Sequence, residues 1–263
     1  MATYYDYEYF KREILKLTGI DLNCYKERQM KRRLDTLIRN KGLNGYDKFI
    51  LAMKDQKDLF DEFLSYMTIN VSEFYRNPEQ WDFLDKKVVP YLIEKFGKRL
   101  KIWSAACSTG DEPYSLVMVL SKHMPLLNIS ILATDLDKQC LEKAKVGLYT
   151  EKSIENVPEE FKKKYFTETA DGKMKVSSEI TSRVTFKQAD LLRDPYPKDM
   201  HLIVCRNVLI YFTEEAKDDI FRKYYANLAP GGILFIGSTE QIVNYKDIGF
   251  VRKNSFYYEK PKA

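Results

Sequence analysis

The sequence predicts an α/β fold built on a largely parallel sheet, preceded by an all-α N-terminal domain. Three observations carry this. From Leu100 onward, short apolar runs alternate with segments whose apolar residues fall at helical spacing, as a parallel sheet and its crossovers require. Before about residue 72 the patterns are helical only, punctuated by Gly19, Gly42 and Gly45. Polar residues then gather at the carboxyl ends of successive apolar strands, the edge where open α/β sheets bind ligands.

The elements follow in order. Helices are expected at Tyr7 to Leu17, across the basic segment 26 to 41, at Tyr46 to Met53 and at Leu59 to Met67. In the basic segment Met30, Leu34, Leu37 and Ile38 form one apolar stripe, while Arg28, Lys31, Arg32, Arg33 and Arg39 cover much of the rest. Next comes INVSEFYRNPEQW, residues 69 to 81. Its Tyr75 to Asn77 must be extended or turn-like, because Pro78 disfavours helix at the residue before it. A helix, Glu79 to Phe96, leads to LKIWSAACSTGDEPYSL, residues 100 to 116, read as a strand, a tight loop at Gly110 and a helix start. Pro113 suits the first helical turn, where its missing N–H costs nothing.

A second strand, NISILATDLD, ends in Asp135 and Asp137, the latter better suited to capping the next helix. Further strands are Arg183 to Gln188, followed by Asp190 and Leu191; His201 to Cys205, followed by Arg206 and Asn207; and Gly232 to Gly237. Residues 161 to 187 break the alternation, with a hairpin signal at Asp171 and Gly172, and read as a small β insertion. The aromatic segment Phe250 to Lys260 is expected to pair antiparallel at the sheet edge. Two domains are expected, 1–72 and 73–263, the insertion at about 161–187 lying in the second.

The loop at Gly110 narrows the ligand. A phosphate cradle would place a Lys after its last glycine, whereas Asp111 and Glu112 follow here and would repel a triphosphate. A dinucleotide fingerprint needs three glycines, and one is present. A cofactor with a cationic head and no phosphate fits better, and S-adenosylmethionine is the common one; an ordinary strand–helix turn stays open. Asp135, 25 residues beyond Gly110, is placed to accept hydrogen bonds from a ribose diol. The parallel sheet with a terminal antiparallel strand matches the Rossmann-like S-adenosylmethionine-dependent methyltransferase sheet.

Composition excludes several classes. At 44% hydrophobic and 31% charged, the 263 residues are ordinary globular material. No charge-free apolar run approaches the roughly 18 residues of a membrane span, and MATYYDYEYF lacks the pattern of a signal peptide. Cys24, Cys107, Cys140 and Cys205 are too scattered for a zinc site and suggest a reducing cytoplasm; His123 and His201 lack metal-ligand spacing. Residues 26 to 41 hold seven basic residues and two acids. That charge suits a solvated face, a nucleic-acid backbone or an acidic protein surface; no aromatic interleaving favours single-stranded nucleic acid.

Five motifs coincide with one family: TINVSEFYR (68–76), WSAACSTGDEPYS (103–115), ATDLD (133–137), CRNVLIYF (205–212) and GSTE (237–240). In these, and in the helical domain before them, the chain resembles the CheR-type chemotaxis receptor methyltransferases. These enzymes move a methyl group from S-adenosylmethionine to receptor glutamates, leaving S-adenosylhomocysteine. The resemblance implies cofactor contacts from Asn70, Ser72 and Arg76 in the linker and an acid, Glu112, near the methionine amino group. It implies a ribose acid, Asp135, an adenine-side pair, Asp190 and Leu191, and closure over the cofactor by Arg206 and Asn207. Arg76 and Tyr211 match the residues that flank the transferred methyl and the incoming carboxylate.

The partner it implies is the cytoplasmic helical region of chemoreceptors, faced by Arg28, Lys31, Arg32, Arg33 and Arg39. Neither nucleic acid nor membrane insertion is expected; a cytoplasmic monomer is. The chain departs from the family in Asp111, where glutamate is common, in Ser72 for Thr and in Asp190 for Asn. Its β insertion is short beside members that hold a receptor tail with it. The alternatives are a methyltransferase acting on RNA or a small molecule, or a cofactor-binding regulatory module without turnover.

Overall fold

The computed structural model describes residues 6–262, which divide into two compact units. One comprises the residues up to Asn70 together with Ile210–Asp219; the other comprises Val71–Leu209 and the chain from Ile220 onward.

The first unit is helical: α1 (Tyr7–Thr18), α2 (Glu27–Asn40), α3 (Tyr46–Asp55) and α4 (Lys57–Thr68). Asp6 caps α1 by accepting the Tyr9 N–H at 2.9 Å. The apolar stripe of α2 is buried through Met30, Leu34, Leu37 and Ile38, and Phe10, Phe49 and Phe63 pack at centroid distances of 6.2 to 6.3 Å. Each fully buried side chain of this kind contributes about 1.5–3 kcal/mol. Residues from the far end of the chain complete the unit. Phe212 bridges to Tyr25, their ring centres 4.8 Å apart and the rings tilted by 37°; Lys26 N–H donates to the Tyr211 carbonyl at 2.9 Å, and Thr213 N–H donates to that of Cys24 at 2.8 Å.

The second unit opens with α5 (Pro78–Phe83), a π turn at Leu84–Val88 and α6 (Val89–Phe96). The single helix expected over Glu79 to Phe96 is thus interrupted, and Pro90 is the reason. It has no N–H for the carbonyl four residues back and its ring crowds that carbonyl. The ladder widens instead, Val89 N–H reaching the Leu84 carbonyl, a five-residue step.

There follow β1 (Ile102–Ala105), α7 (Asp111–Ser121), β2 (Ile131–Asp135), α8 (Lys138–Val146), β3 (Leu148–Tyr149), α9 (Glu159–Tyr165), β4 (Phe166–Glu168), β5 (Met174–Val176) and α10 (Ser178–Thr181). The chain continues through β6 (Val184–Gln188), β7 (Met200–Cys205), α11 (Glu214–Asn227), β8 (Leu228–Ile236), α12 (Tyr245–Ile248), β9 (Val251–Arg252) and β10 (Tyr257–Glu259). Helix α11 begins in the first unit and ends in the second.

Seven strands form one sheet in the order β6-β2-β1-β7-β8-β10-β9. The first five run parallel, and β10 pairs antiparallel with both β8 and β9. This is the largely parallel α/β sheet with a terminal antiparallel strand that the sequence predicts. A second, three-stranded sheet, β3-β5-β4, is antiparallel. It differs in extent from the insertion expected at about 161–187: it starts at Leu148, and Val184–Gln188 belongs to the large sheet. Strand β8 begins earlier than the expected Gly232, taking in the Pro230–Gly231 step as an irregularity in its register with β7.

Candidate functional site

The loop after β1 is held in an unusual shape. Ala106, Ser108 and Gly110 all have positive φ, 64°, 47° and 91°. Gly110 is required there twice over, by its φ and because a Cβ would stand 2.8 Å from that of Ala144. The strain is held by the next strand: Cys107 N–H donates to the Thr134 carbonyl at 2.9 Å, and Ser108 N–H to Asp135 Oδ2 at 2.7 Å. Asp135 Oδ1 takes the Asp137 N–H at 2.9 Å, and Asp137 caps α8 by accepting the Gln139 and Cys140 N–H groups. Burial pushes the Asp135 carboxyl up to about 6 despite these bonds.

Glu112 lies in the first turn of α7. Ser104, from β1, donates to its Oε1 at 2.8 Å, and Arg206 Nη1 stands 3.7 Å from its Oε2. Burial outweighs both and pushes the carboxyl up to about 7. Beside it, Asp111 accepts from Thr109 Oγ1 at 2.6 Å and from Ser72; burial raises it too.

Arg206, just beyond β7, joins the site to the linker. Its Nη2 donates to the Arg76 carbonyl at 2.7 Å, to Gln80 Oε1 at 2.7 Å and to Asn77 Oδ1 at 3.3 Å. Its guanidinium lies 4.8 Å from the ring centre of Phe235 and 5.4 Å from that of Trp81. The linker bends to meet it: Tyr75 and Asn77 have φ of 51° and 60°. Tyr75 N–H is held by Ser115 Oγ at 3.1 Å, and the Arg76 carbonyl also takes Trp81 Nε1 at 2.9 Å. The Arg76 side chain is half-buried, its Nη1 on the Val71 carbonyl at 3.2 Å.

Asp190 and Leu191 follow β6. Asp190 Oδ1 accepts the Leu192 N–H at 2.8 Å, its own N–H goes to Asp194 Oδ2, and burial raises its carboxyl. With Trp103, Thr134 and Tyr196 they help line a cavity of about 340 Å³. Residues 189 to 199 join β6 to β7 without a helix, and part of this segment, Asp194 to Pro197 included, forms the cavity's wall. Alternation along the strands puts Trp103 and Thr134 on the sheet face away from Ser104 and Asp135.

Structure therefore brings Ser72, Arg76, Glu112, Arg206 and Asn207 into one linked set, through Asp111, Ser104, Asn77 and Gln80, and Asp135 reaches it by holding the Ser108 N–H of the loop before α7. Asp190 and Leu191 stand at the next strand end. Asn70 and Tyr211 belong to the helical unit, where Asn70 Nδ2 donates to the Ser65 carbonyl at 3.4 Å and Tyr211 ends a short 3₁₀ turn. On α2, Arg28, Lys31, Arg32 and Arg39 are exposed. Arg33 differs: it donates to the Tyr66 carbonyl and lies 4.7 Å from the Tyr66 ring centre. Gln80 and Ser104 join the site without a signal in the sequence; Glu240 is signalled only by its place in the GSTE motif.

The donor set fits S-adenosylmethionine. Glu112 is a buried carboxylate whose burial Arg206 only partly offsets, suited to an amino cation, and Asp135 closes the second strand as an acceptor. Ser108 Oγ and Arg206 Nε are buried without a hydrogen-bond partner among the described residues.

Known proteins agree. The family pattern described as "CheR methyltransferase, SAM binding domain" matches residues 70–256, and "CheR methyltransferase, all-alpha domain" matches residues 5–68. A chemotaxis protein methyltransferase of Listeria innocua is 43% identical over 255 residues, 97% of each chain. Chemotaxis protein methyltransferase 1 of Pseudomonas aeruginosa is 34% identical over 92% of each chain. The corresponding Borreliella burgdorferi protein is 32% identical over 89% of this chain and 87% of its own. The chain belongs to the CheR methyltransferase family, and S-adenosylmethionine is its cofactor.

Proposed function

We propose that this protein esterifies glutamate side chains in the helical cytoplasmic region of chemoreceptors. One observation carries the choice of acceptor: neither histidine stands at the site. His201 lies at the start of β7, stacked on Phe96 at 4.0 Å and accepting the Lys101 N–H at 3.1 Å. His123 follows the C-terminal end of α7, 2.6 Å from Asp85. The reaction should therefore need no imidazole base. A glutamate meets this condition, being ionised at neutral pH with an ordinary pKa of about 4.3.

When bound, the cofactor supplies an activated methyl group on a sulfonium. The residues' part is to hold, align and exclude water. Glu112 takes the amino group, Asp135 the ribose, and Asp190 and Leu191 the adenine side; Asn70, Ser72, Arg206 and Asn207 complete the enclosure. Arg76 receives the incoming carboxylate by a charge-assisted bond and Tyr211 orients the attacking oxygen. A weak hold by Arg76 suits catalysis, since only contacts stronger in the transition state accelerate it. The exposed Arg28, Lys31, Arg32 and Arg39 form the surface offered to the acidic receptor bundle.

The test combines purified protein, methyl-labelled S-adenosylmethionine and membranes carrying chemoreceptors. Label released as methanol by mild base is expected on the receptor. Cofactor binding with no base-labile label on any receptor would overturn the reading and favour another acceptor.

A further inference from the structure

Glu240 has no part in the cofactor contacts proposed above, yet it is buried at 7% exposure and fully engaged. Its Oε2 accepts the Asn207 N–H at 3.0 Å and the Gly237 N–H at 2.7 Å; its Oε1 accepts the Leu209 N–H at 2.8 Å. Three backbone donors from two loops thus converge on one carboxylate. One loop follows β7 and carries Arg206 and Asn207; the other follows β8. Asn207 is bent to a φ of 61°, a conformation that Asn tolerates but does not choose unaided. The approach is close enough to exclude a side chain at Gly237, where a Cβ would stand 2.8 Å from both Asn207 N and Glu240 Oε2.

We propose that Glu240 is a positioning residue of the methyl-transfer site, clamping the β7 loop so that Arg206 and Asn207 are presented to the cofactor. This rests on the reading that those two residues face the cofactor. The chemistry demands a carboxylate. Three N–H groups need an acceptor with lone pairs on both oxygens, and ionised Glu offers about four. A glutamine offers one oxygen and turns an NH2 toward at least one backbone N–H, which leaves a buried donor unpaired and the loop free to relax. The clamp also places a negative charge near buried Arg206 besides that of Glu112.

The experiment measures S-adenosylhomocysteine affinity by calorimetry, KM and kcat, and cooperative melting for wild type, Glu240→Gln, Gly237→Ala, Asn207→Ala and Glu259→Gln. Glu259 is a control: a carboxylate of similar exposure on β10, opposite Ile233 of β8, bonded to Tyr91 and Lys253. Glu240→Gln and Gly237→Ala are expected to weaken binding on the order of tenfold and to raise KM for the cofactor to match. Glu259→Gln is expected to lower the melting temperature with affinity unchanged.

Should Glu240→Gln fail to fold, Gly237→Ala carries the same test with the carboxylate intact. A folded Glu240→Gln that binds within about twofold of wild type overturns the proposal. If Asn207→Ala still weakens binding in that case, only the clamp is refuted. If it does not, the assignment of this loop to the cofactor falls too.

Discussion

At the scale of single residues, the site depends on charges that the fold holds at a cost. Glu112 is raised to about 7 by burial, against the pull of Arg206, so near neutrality its carboxyl is only part-ionised. An arriving amino cation needs the ionised form. Cofactor affinity should therefore be full above pH 7 and fall by up to about tenfold per pH unit below it, with Asp135, at about 6, adding a second step. Calorimetry across this range checks it: Glu112→Gln should remove the upper inflection, and a flat wild-type curve would refute the assignment. Stability of the ligand-free protein should run the opposite way. A carboxyl whose folded pKa lies above its unfolded one binds protons more tightly when folded, so its contribution to stability rises as pH falls from about 7 toward the ordinary 4.5. Glu112, Asp135 and Arg206 are legible in the sequence because each lies at or just past a strand end. Gln80 is not, since its partner Arg206 is distant along the chain; Glu240 is marked only by the GSTE motif, because its partners are backbone N–H groups that carry no residue identity.

At the scale of elements, periodicity reveals most of the fold. The five parallel strands are apolar runs bounded by polar residues, and the α2 stripe is plain. What escapes is short or irregular: β3 is two residues long, and the π turn before Pro90 follows from a missing N–H that hydropathy does not register. Helix α2 also shows that a basic residue's position on a helix does not fix its use. Arg33 serves the helical unit through Tyr66, so Arg33→Ala should cost about 1–3 kcal/mol in denaturant unfolding, with receptor methylation falling only as folded protein is lost. Neutralising Arg28, Arg32 and Arg39 together should do the reverse. The fold would stand, while receptor methylation at low salt drops on the order of tenfold and loses its salt dependence. Unchanged methylation at low salt would remove α2 as the docking surface.

At the scale of the whole molecule, the chain does not divide at one cut. Ile210–Asp219 groups with the residues up to Asn70, and the backbone of Tyr211 and Thr213 is bonded to Lys26 and Cys24. A fragment starting at Asn70, which keeps every proposed cofactor contact, would leave Phe212 without Tyr25 and Tyr211 without its anchor. It should still bind S-adenosylhomocysteine, yet lose nearly all turnover even with added receptor; turnover at the full-length rate would show that this anchoring is dispensable. The bridge from residue 25 to residue 212 also sets an order of events during synthesis. The helical unit includes Ile210–Asp219, so it is incomplete until the chain through β7 has been made, a slow long-range closure. A truncated translation product, however well its helices form, cannot place Tyr211. On the role proposed for Tyr211, a product that stops short of that residue has no turnover, whether or not it holds cofactor.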